Sequence, residues 1–323
     1  MFSSDKQFTN DQVPDLHGKV SVVTGGNVGI GYHVALQLAR RGSRVYLACR
    51  SEARAMAAIE RLQADLARIA PAIESPDIRF LHLDLSSLKQ VASAADKLLA
   101  AEPRIHILVN NAGILAVPYT LTADGIEAQF GVNHVGPTLF TARLFATVQA
   151  SGTVDDPARI VFTSSGAHRR ACPDAAHPWT LACINDRESY SPVHAYCRSK
   201  LANILTAKQF AQMAAADGAP TVLVNALHPG VVSTDIGRDT YGWFSWFWHI
   251  RYLPFAISAE DGALTTLYAV TSDEVREQGY NGEYFMPYGK VGHLIDAAQD
   301  KVLQQKLWNF TQSIISEKLS EQS

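Results

Sequence analysis

Short β-branched or Leu-rich runs alternate along this chain with longer amphipathic segments, and that alternation restricts the fold more than any other feature. Lys19–Thr24, Arg44–Ala48, Ile78–Leu83, Ile105–Asn110, Arg159–Ser164 and Val222–Leu227 have the nearly unbroken apolar character of strands covered on both faces. Between them Gly29–Arg41, Ala53–Ile69, Leu88–Ala100, Asp124–Ala150, Pro192–Ala216 and Ala259–Val270 carry helical spacing, several with Ser or Asp near the start. Repeated strand–helix–strand units imply an α/β fold, a doubly wound parallel sheet with helices on both faces. Pro and Gly fall at element ends and no internal repeat is present, so the 323 residues read as one domain. Its core is expected over about 19–290, with variable pieces near 166–191 and 231–258. A C-terminal helix near 294–318 and a tail should complete it.

Composition narrows the partners. With 28 Lys+Arg against 31 Asp+Glu, the formal charge of −3 offers no basic field for nucleic acid or anionic lipid. Cys49, Cys172, Cys183 and Cys197 form no C-x-x-C pair and are too sparse for a disulfide scaffold, which points to a reducing, cytoplasmic setting. No metal is expected. Charges run through the first eighteen residues, so neither a signal peptide nor an anchor is expected there. The aromatic stretch Trp243–Ile257 is interrupted by His249, Arg251 and Pro254 and is too short to span a bilayer, though peripheral membrane contact through it stays open.

The first strand runs into Thr24-Gly25-Gly26-Asn27-Val28-Gly29-Ile30-Gly31, which opens a helix. Glycines there let the backbone turn and approach a pyrophosphate, whose charge meets free N–H groups and the positive end of the helix dipole. In this strand–turn–helix setting the loop points to a dinucleotide. The second strand ends at Cys49-Arg50, where an NAD site would carry Asp or Glu. A guanidinium there suits a 2′-phosphate, so NADP(H) is favoured over NAD(H); a solvated strand-end residue is the plainer reading. Asp84, closing the third strand, fits the adenine amino group or a helix cap equally well. Asn110-Asn111-Ala112-Gly113 can line a flat cofactor or form a simple turn.

Tyr196 and Lys200 stand four apart on one helix face. A phenol near pKa ~10 is a poor acid–base group at neutral pH, and a nearby cation brings it closer to working range. Ser165 ends a buried strand, at the edge where open α/β sheets bind ligands; its hydroxyl can polarise a carbonyl or merely make a turn. Asn133 lies in a largely apolar helix, where its amide needs partners.

Together these residues resemble the classical short-chain dehydrogenase/reductase family, from about Lys19 to Tyr288, with a Rossmann-type sheet as the implied fold. The likeness is carried by Thr24-Gly25-x-x-x-Gly29-x-Gly31, Asn110-Asn111-Ala112-Gly113, Asn133, Ser165, Tyr196-x-x-x-Lys200 and Pro229-Gly230. Stretches such as Ala48-Cys49-Arg50, Gln129–His134, Ser199–Leu205 and His228–Val232 make it most similar to the retinol-dehydrogenase-like branch. The chain departs from that branch at Pro137 and at Cys197-Arg198. The resemblance implies Tyr196 as acid/base, with Lys200 gripping the nicotinamide ribose and depressing the Tyr196 pKa. It further implies Ser165 orienting the carbonyl and Asn133 supporting a water. Cofactor contacts are implied for Gly25, Asn27, Val28, Gly29, Ile30 and Gly31, then Arg50, Asp84 and Leu85, then Asn111, Ala112 and Gly113. Tyr196, Lys200, Pro229, Gly230, Val232 and Thr234 complete the set.

The expected function is an NADP(H)-dependent oxidoreductase interconverting a hydrophobic carbonyl compound and its alcohol, such as a lipid, polyketide, terpenoid or retinoid-like compound. A second copy of the chain is a candidate partner. Rival expectations keep the fold without net redox turnover, as a cyclase or isomerase, or keep only dinucleotide sensing. Rings at 241, 243, 244, 246, 247 and 248 lie where the family carries its substrate lid, and a lid or a core helix would both account for them.

Overall fold

The computed structural model describes residues 7–321 apart from 72, 74, 172–178, 217 and 233–255. The aromatic segment, Thr234 and most of the expected lid thus lie outside the described residues.

The strands are β1 (Val20–Thr24), β2 (Arg44–Cys49), β3 (Ile78–His82), β4 (Ile107–Asn110), β5 (Ala158–Thr163), β6 (Val222–Leu227), β7 (Tyr284–Met286) and β8 (Lys290–Val291). They form one sheet in the order β3-β2-β1-β4-β5-β6-β7-β8, parallel throughout except for the antiparallel β7–β8 pair. The order reverses between β1 and β4, which opens a crevice at the carboxyl ends of the strands.

Side chains alternate between two cores. From β5, Ile160 and Phe162 enter one and Val161 the other; from β6, Val222, Val224 and Ala226 oppose Leu223 and Leu227. The first core is covered by α3 (Leu88–Ala101), α4 (Gly136–Ser151), α5 (Pro192–Ala214) and α7 (Lys301–Ser320). The second is covered by α1 (Gly29–Arg40), α2 (Glu52–Ile69) and α6 (Ala259–Thr271). Burial on both faces explains why the strands read as near-continuous apolar runs.

Two expected helices are corrected. The segment 124–150 does not run as one helix: Asp124 turns to the start of α3, where its Oδ2 accepts from the Leu88 amide at 2.9 Å, while Gly125, at φ +71°, closes a turn. Helix begins only after Glu127, whose carboxylate accepts from the amides of Gln129 (2.9 Å) and Phe130 (2.8 Å). A π-turn over Gly131–Val135 then precedes α4. At the C-terminus helix starts at Lys301, not 294, because Asp300 accepts from Val302 and Leu303 at 2.8 and 3.1 Å. Among the described residues no helix is long and apolar enough to cross a membrane.

Candidate active site

Thr24 ties the first strand to the fourth. Its hydroxyl accepts from the amides of Asn111 and Ala112, each at 3.0 Å, and donates to the Val109 carbonyl at 3.3 Å. Asn111 Nδ2 returns a bond to the Thr24 carbonyl at 2.9 Å. The glycine loop therefore packs against Asn111 and Ala112. A Cβ on Gly31 would stand 2.5 Å from the Gly25 carbonyl oxygen, and one on Gly25 would stand 3.2 Å from Ala112. Gly25 and Gly29 have φ +66° and +56°, the left-handed region that suits glycine. Val28, the N-cap of α1, supplies no capping side chain, so the first amides of this helix are left for an anion. The residues present fit a dinucleotide pyrophosphate.

At the adenosine end, Asn27 Oδ1 accepts from Cys49 Sγ at 3.4 Å, and burial pushes the Cys49 thiol up to about 11. Arg50 is exposed and makes no hydrogen bond or ion pair with the described residues. Two basic residues that sequence reasoning missed lie nearby. Arg61 donates to the Asn27 carbonyl at 3.1 Å and lies 5.2 Å from the Tyr32 ring centroid. Arg54, in the first turn of α2, is close enough to act electrostatically on Cys49. Only the outward face of α2 marked them in the sequence. Asp84 is not the cap of α3; it accepts from the Ser86 amide (2.9 Å) and hydroxyl (2.6 Å), and Ser87 caps the helix instead. Leu85 is buried in the first core.

The catalytic candidates converge at the ends of β5 and α5. Tyr196 is half-buried, with the Ser165 hydroxyl near enough to act on its phenol. The Ser165 hydroxyl also accepts from the Ala167 amide at 3.2 Å. Lys200 is 2% exposed; its Nζ donates to the Thr163 carbonyl at 2.9 Å and lies 5.5 Å from the Tyr196 ring centroid. Asn133 accepts from the Ile114 amide at 2.8 Å and donates to the Ile114 carbonyl at 2.9 Å and to Ser199 Oγ at 3.0 Å. Gly113 lies between them: its missing Cβ would be 3.0 Å from Asn133 Oδ1 and 3.4 Å from Lys200 Nζ. Pro229, Gly230 and Val232 follow β6, with Val232 paired to Ile257 in a single bridge.

Burial pushes the Tyr196 phenol up to about 12, with the Ser165 hydroxyl acting in the opposite direction. The Lys200 ammonium faces the Thr163 carbonyl, and its own burial holds it down to about 8. The Thr163 carbonyl went unseen in the sequence because a backbone acceptor has no side-chain signature.

A glycine-turned dinucleotide cradle beside a hydroxyl, a phenol and a buried amine defines an oxidoreductase built on a Rossmann-type sheet. The chain belongs to the short-chain dehydrogenase/reductase family, in its retinol-dehydrogenase-like branch. The family model described as short chain dehydrogenase matches residues 19–177. The chain is 37% identical to the short chain dehydrogenase/reductase dpchH of Colletotrichum higginsianum, covering 96% of this chain and 78% of that protein. To retinol dehydrogenase 12 of Mus musculus it is 35% identical, covering 93% and 86%. A crystal structure of an uncharacterized protein from Mycobacterium Paratuberculosis superposes with a TM-score of 0.73 at 28% identity, covering 96% of this chain and 98% of that one.

Proposed function

We propose that this protein is an NADP(H)-dependent oxidoreductase that interconverts a hydrophobic carbonyl compound and its alcohol. The observation that carries the reading is the convergence of the Tyr196 phenol, the Ser165 hydroxyl and Lys200, whose Nζ lies 5.5 Å from the Tyr196 ring centroid. In the reductive direction a nicotinamide dinucleotide held in this cradle would supply hydride to the carbonyl carbon. Tyr196 gives its proton to the carbonyl oxygen as the C–O double bond becomes single, and Ser165 donates a hydrogen bond to the growing negative charge. With its pKa near 12, Tyr196 carries that proton throughout the neutral range, which suits a resting acid.

The NADP(H) preference rests on Arg50, exposed and without a protein partner at the end of β2, with Arg54 and Arg61 close by. Asn27, Val28 and Ile30 would border the phosphates, and Asn111, Ala112, Gly113 and Pro229–Val232 the nicotinamide side. Asp84 Oδ2 would take the adenine amino group, since Oδ1 is held by Ser86. Following NADPH absorbance across a panel of carbonyl compounds tests the reading. Tyr196→Phe should lower turnover by about 100-fold or more while leaving NADPH affinity within about twofold, as removal of a general acid predicts. Retained turnover in that variant would defeat the assignment of Tyr196.

A further inference from the structure

We infer that Gln129 is a positioning residue for Tyr196, one rung of a two-rung brace whose other rung is Asn133. The two amides stand four residues apart, Gln129 in the short helical turn Ala128–Phe130 and Asn133 in the π-turn that follows. Each reaches the same two neighbours. On one side is the loop after β4, where Gln129 Oε1 accepts from the Ala116 amide at 2.7 Å and Asn133 Oδ1 from the Ile114 amide at 2.8 Å. On the other is α5, where Gln129 Nε2 donates to the Pro192 carbonyl at 2.8 Å and Asn133 Nδ2 to Ser199 Oγ at 3.0 Å.

Tyr196 lies between the two points at which α5 is held. The Pro192 carbonyl is the acceptor of the Tyr196 amide in the regular ladder of the helix. Ser199 Oγ donates to the Tyr196 carbonyl at 2.8 Å. The N–H before the tyrosine side chain and the C=O after it are therefore each one bond removed from a rung. Gln129 is 0% exposed and Asn133 1%, depths at which an amide is tolerated only with its bonds made. The second Nε2 proton of Gln129 goes to the Tyr190 hydroxyl at 3.0 Å, so both of its donors are committed. Ala116 adds a second sign. Its φ of +49° is the left-handed region in a residue that is not glycine, and such a conformation persists only where the surroundings over-determine it. One side chain thus fixes the strained loop and the first turn of α5 together, which sets Tyr196 relative to the loop that carries Gly113. The inference rests on the reading of Tyr196 as the acid.

Gln129→Leu removes the amide at similar volume. In NADPH-dependent carbonyl reduction kcat should fall about tenfold with KM for the carbonyl compound within about twofold, the signature of a misplaced acid. Added to Tyr196→Phe, the same change should cost almost nothing more in single-turnover loss of NADPH absorbance, because an acid already removed cannot be misplaced. Val148→Ala, a cavity in the same core, should lower Tm and leave kcat within about twofold. Amide hydrogen exchange without cofactor reads the brace apart from the chemistry: Ala116 and Tyr196 should both exchange at least about tenfold faster in Gln129→Leu. If that variant fails to fold, Gln129→Asn, which keeps an amide one methylene short of its partners, takes its place with the same expected changes. Turnover retained in Tyr196→Phe defeats the acid reading alone, and the exchange rates still decide the brace. A kcat within about twofold of wild type in a folded Gln129 variant, an equal fractional loss with and without Tyr196→Phe, or unchanged exchange at Ala116 and Tyr196 would overturn the inference.

Discussion

Replacing Lys200 with Met should stabilise the protein at pH 7 while disabling the site. The ammonium is 2% exposed and burial takes its pKa from 10.5 to about 8. A depression of about 2.5 units, at 1.36 kcal/mol each, means that keeping the charge costs the folded state roughly 3 kcal/mol. The charged hydrogen bond to the Thr163 carbonyl offsets about 1.5–3 kcal/mol of this. Met fills much the same volume with no charge, and the Thr163 carbonyl keeps Asn203 as its donor. The net expectation is a gain of up to about 1.5 kcal/mol, or up to about 3 °C in Tm for a chain of this size. The sign follows from linkage. The unfolded chain binds the proton more tightly, so the cost is fully present below pH 8 and fades as pH rises toward 10.5. Scanning calorimetry of wild type and Lys200→Met at pH 7 and pH 10 measures both features. A Tm below wild type at pH 7, or a gain of equal size at both pH values, would refute the reasoning.

Two further outcomes follow from the cofactor cradle. Arg50→Asp should weaken NADPH binding by roughly 1.5–3 kcal/mol more than NADH binding, the value of a lost charged hydrogen bond, and equal losses in a fluorescence titration would remove Arg50 from the 2′-phosphate site. Gly31→Ala places a Cβ 2.5 Å from the Gly25 carbonyl oxygen, so the loop must shift; a loss of about 1–3 kcal/mol in stability is expected by urea denaturation, together with weakened NADPH binding.

Legibility in the sequence followed the length of the repeating signal. Strands buried on both faces left runs of four to six residues that any periodicity search finds, and Val222–Leu227 was placed to the residue. β7 and β8 span three and two residues, too few to establish a period, and were missed. The late start after Glu127 was hidden because a buried capping carboxylate looks like a surface acid in a one-dimensional pattern. Ser165, Tyr196, Lys200 and Asn133 stand out in the sequence as candidates because their chemistry is in their side chains. What joins them is largely backbone: the Thr163 and Ile114 carbonyls and the amides after the glycine loop. That part needed coordinates, as did the finding that the Lys200 ammonium turns to a carbonyl.

The π-turn at Gly131–Val135 makes this stretch intolerant of changes in length. A π-turn holds one residue more than the regular ladder around it. Deleting a single residue there would let 128–151 close into an uninterrupted α-helix, locally a better-bonded object. Each residue of an α-helix also turns the chain by about 100°. Phe130, upstream, and Leu139, Phe140 and Leu144, downstream, are all buried in the same core, so the wider turn sits in a segment packed on both sides of it. Asn133 would leave Ile114 and Ser199 in the same movement. A deletion inside the turn would therefore exchange the position of the Asn133 amide for a regular helix.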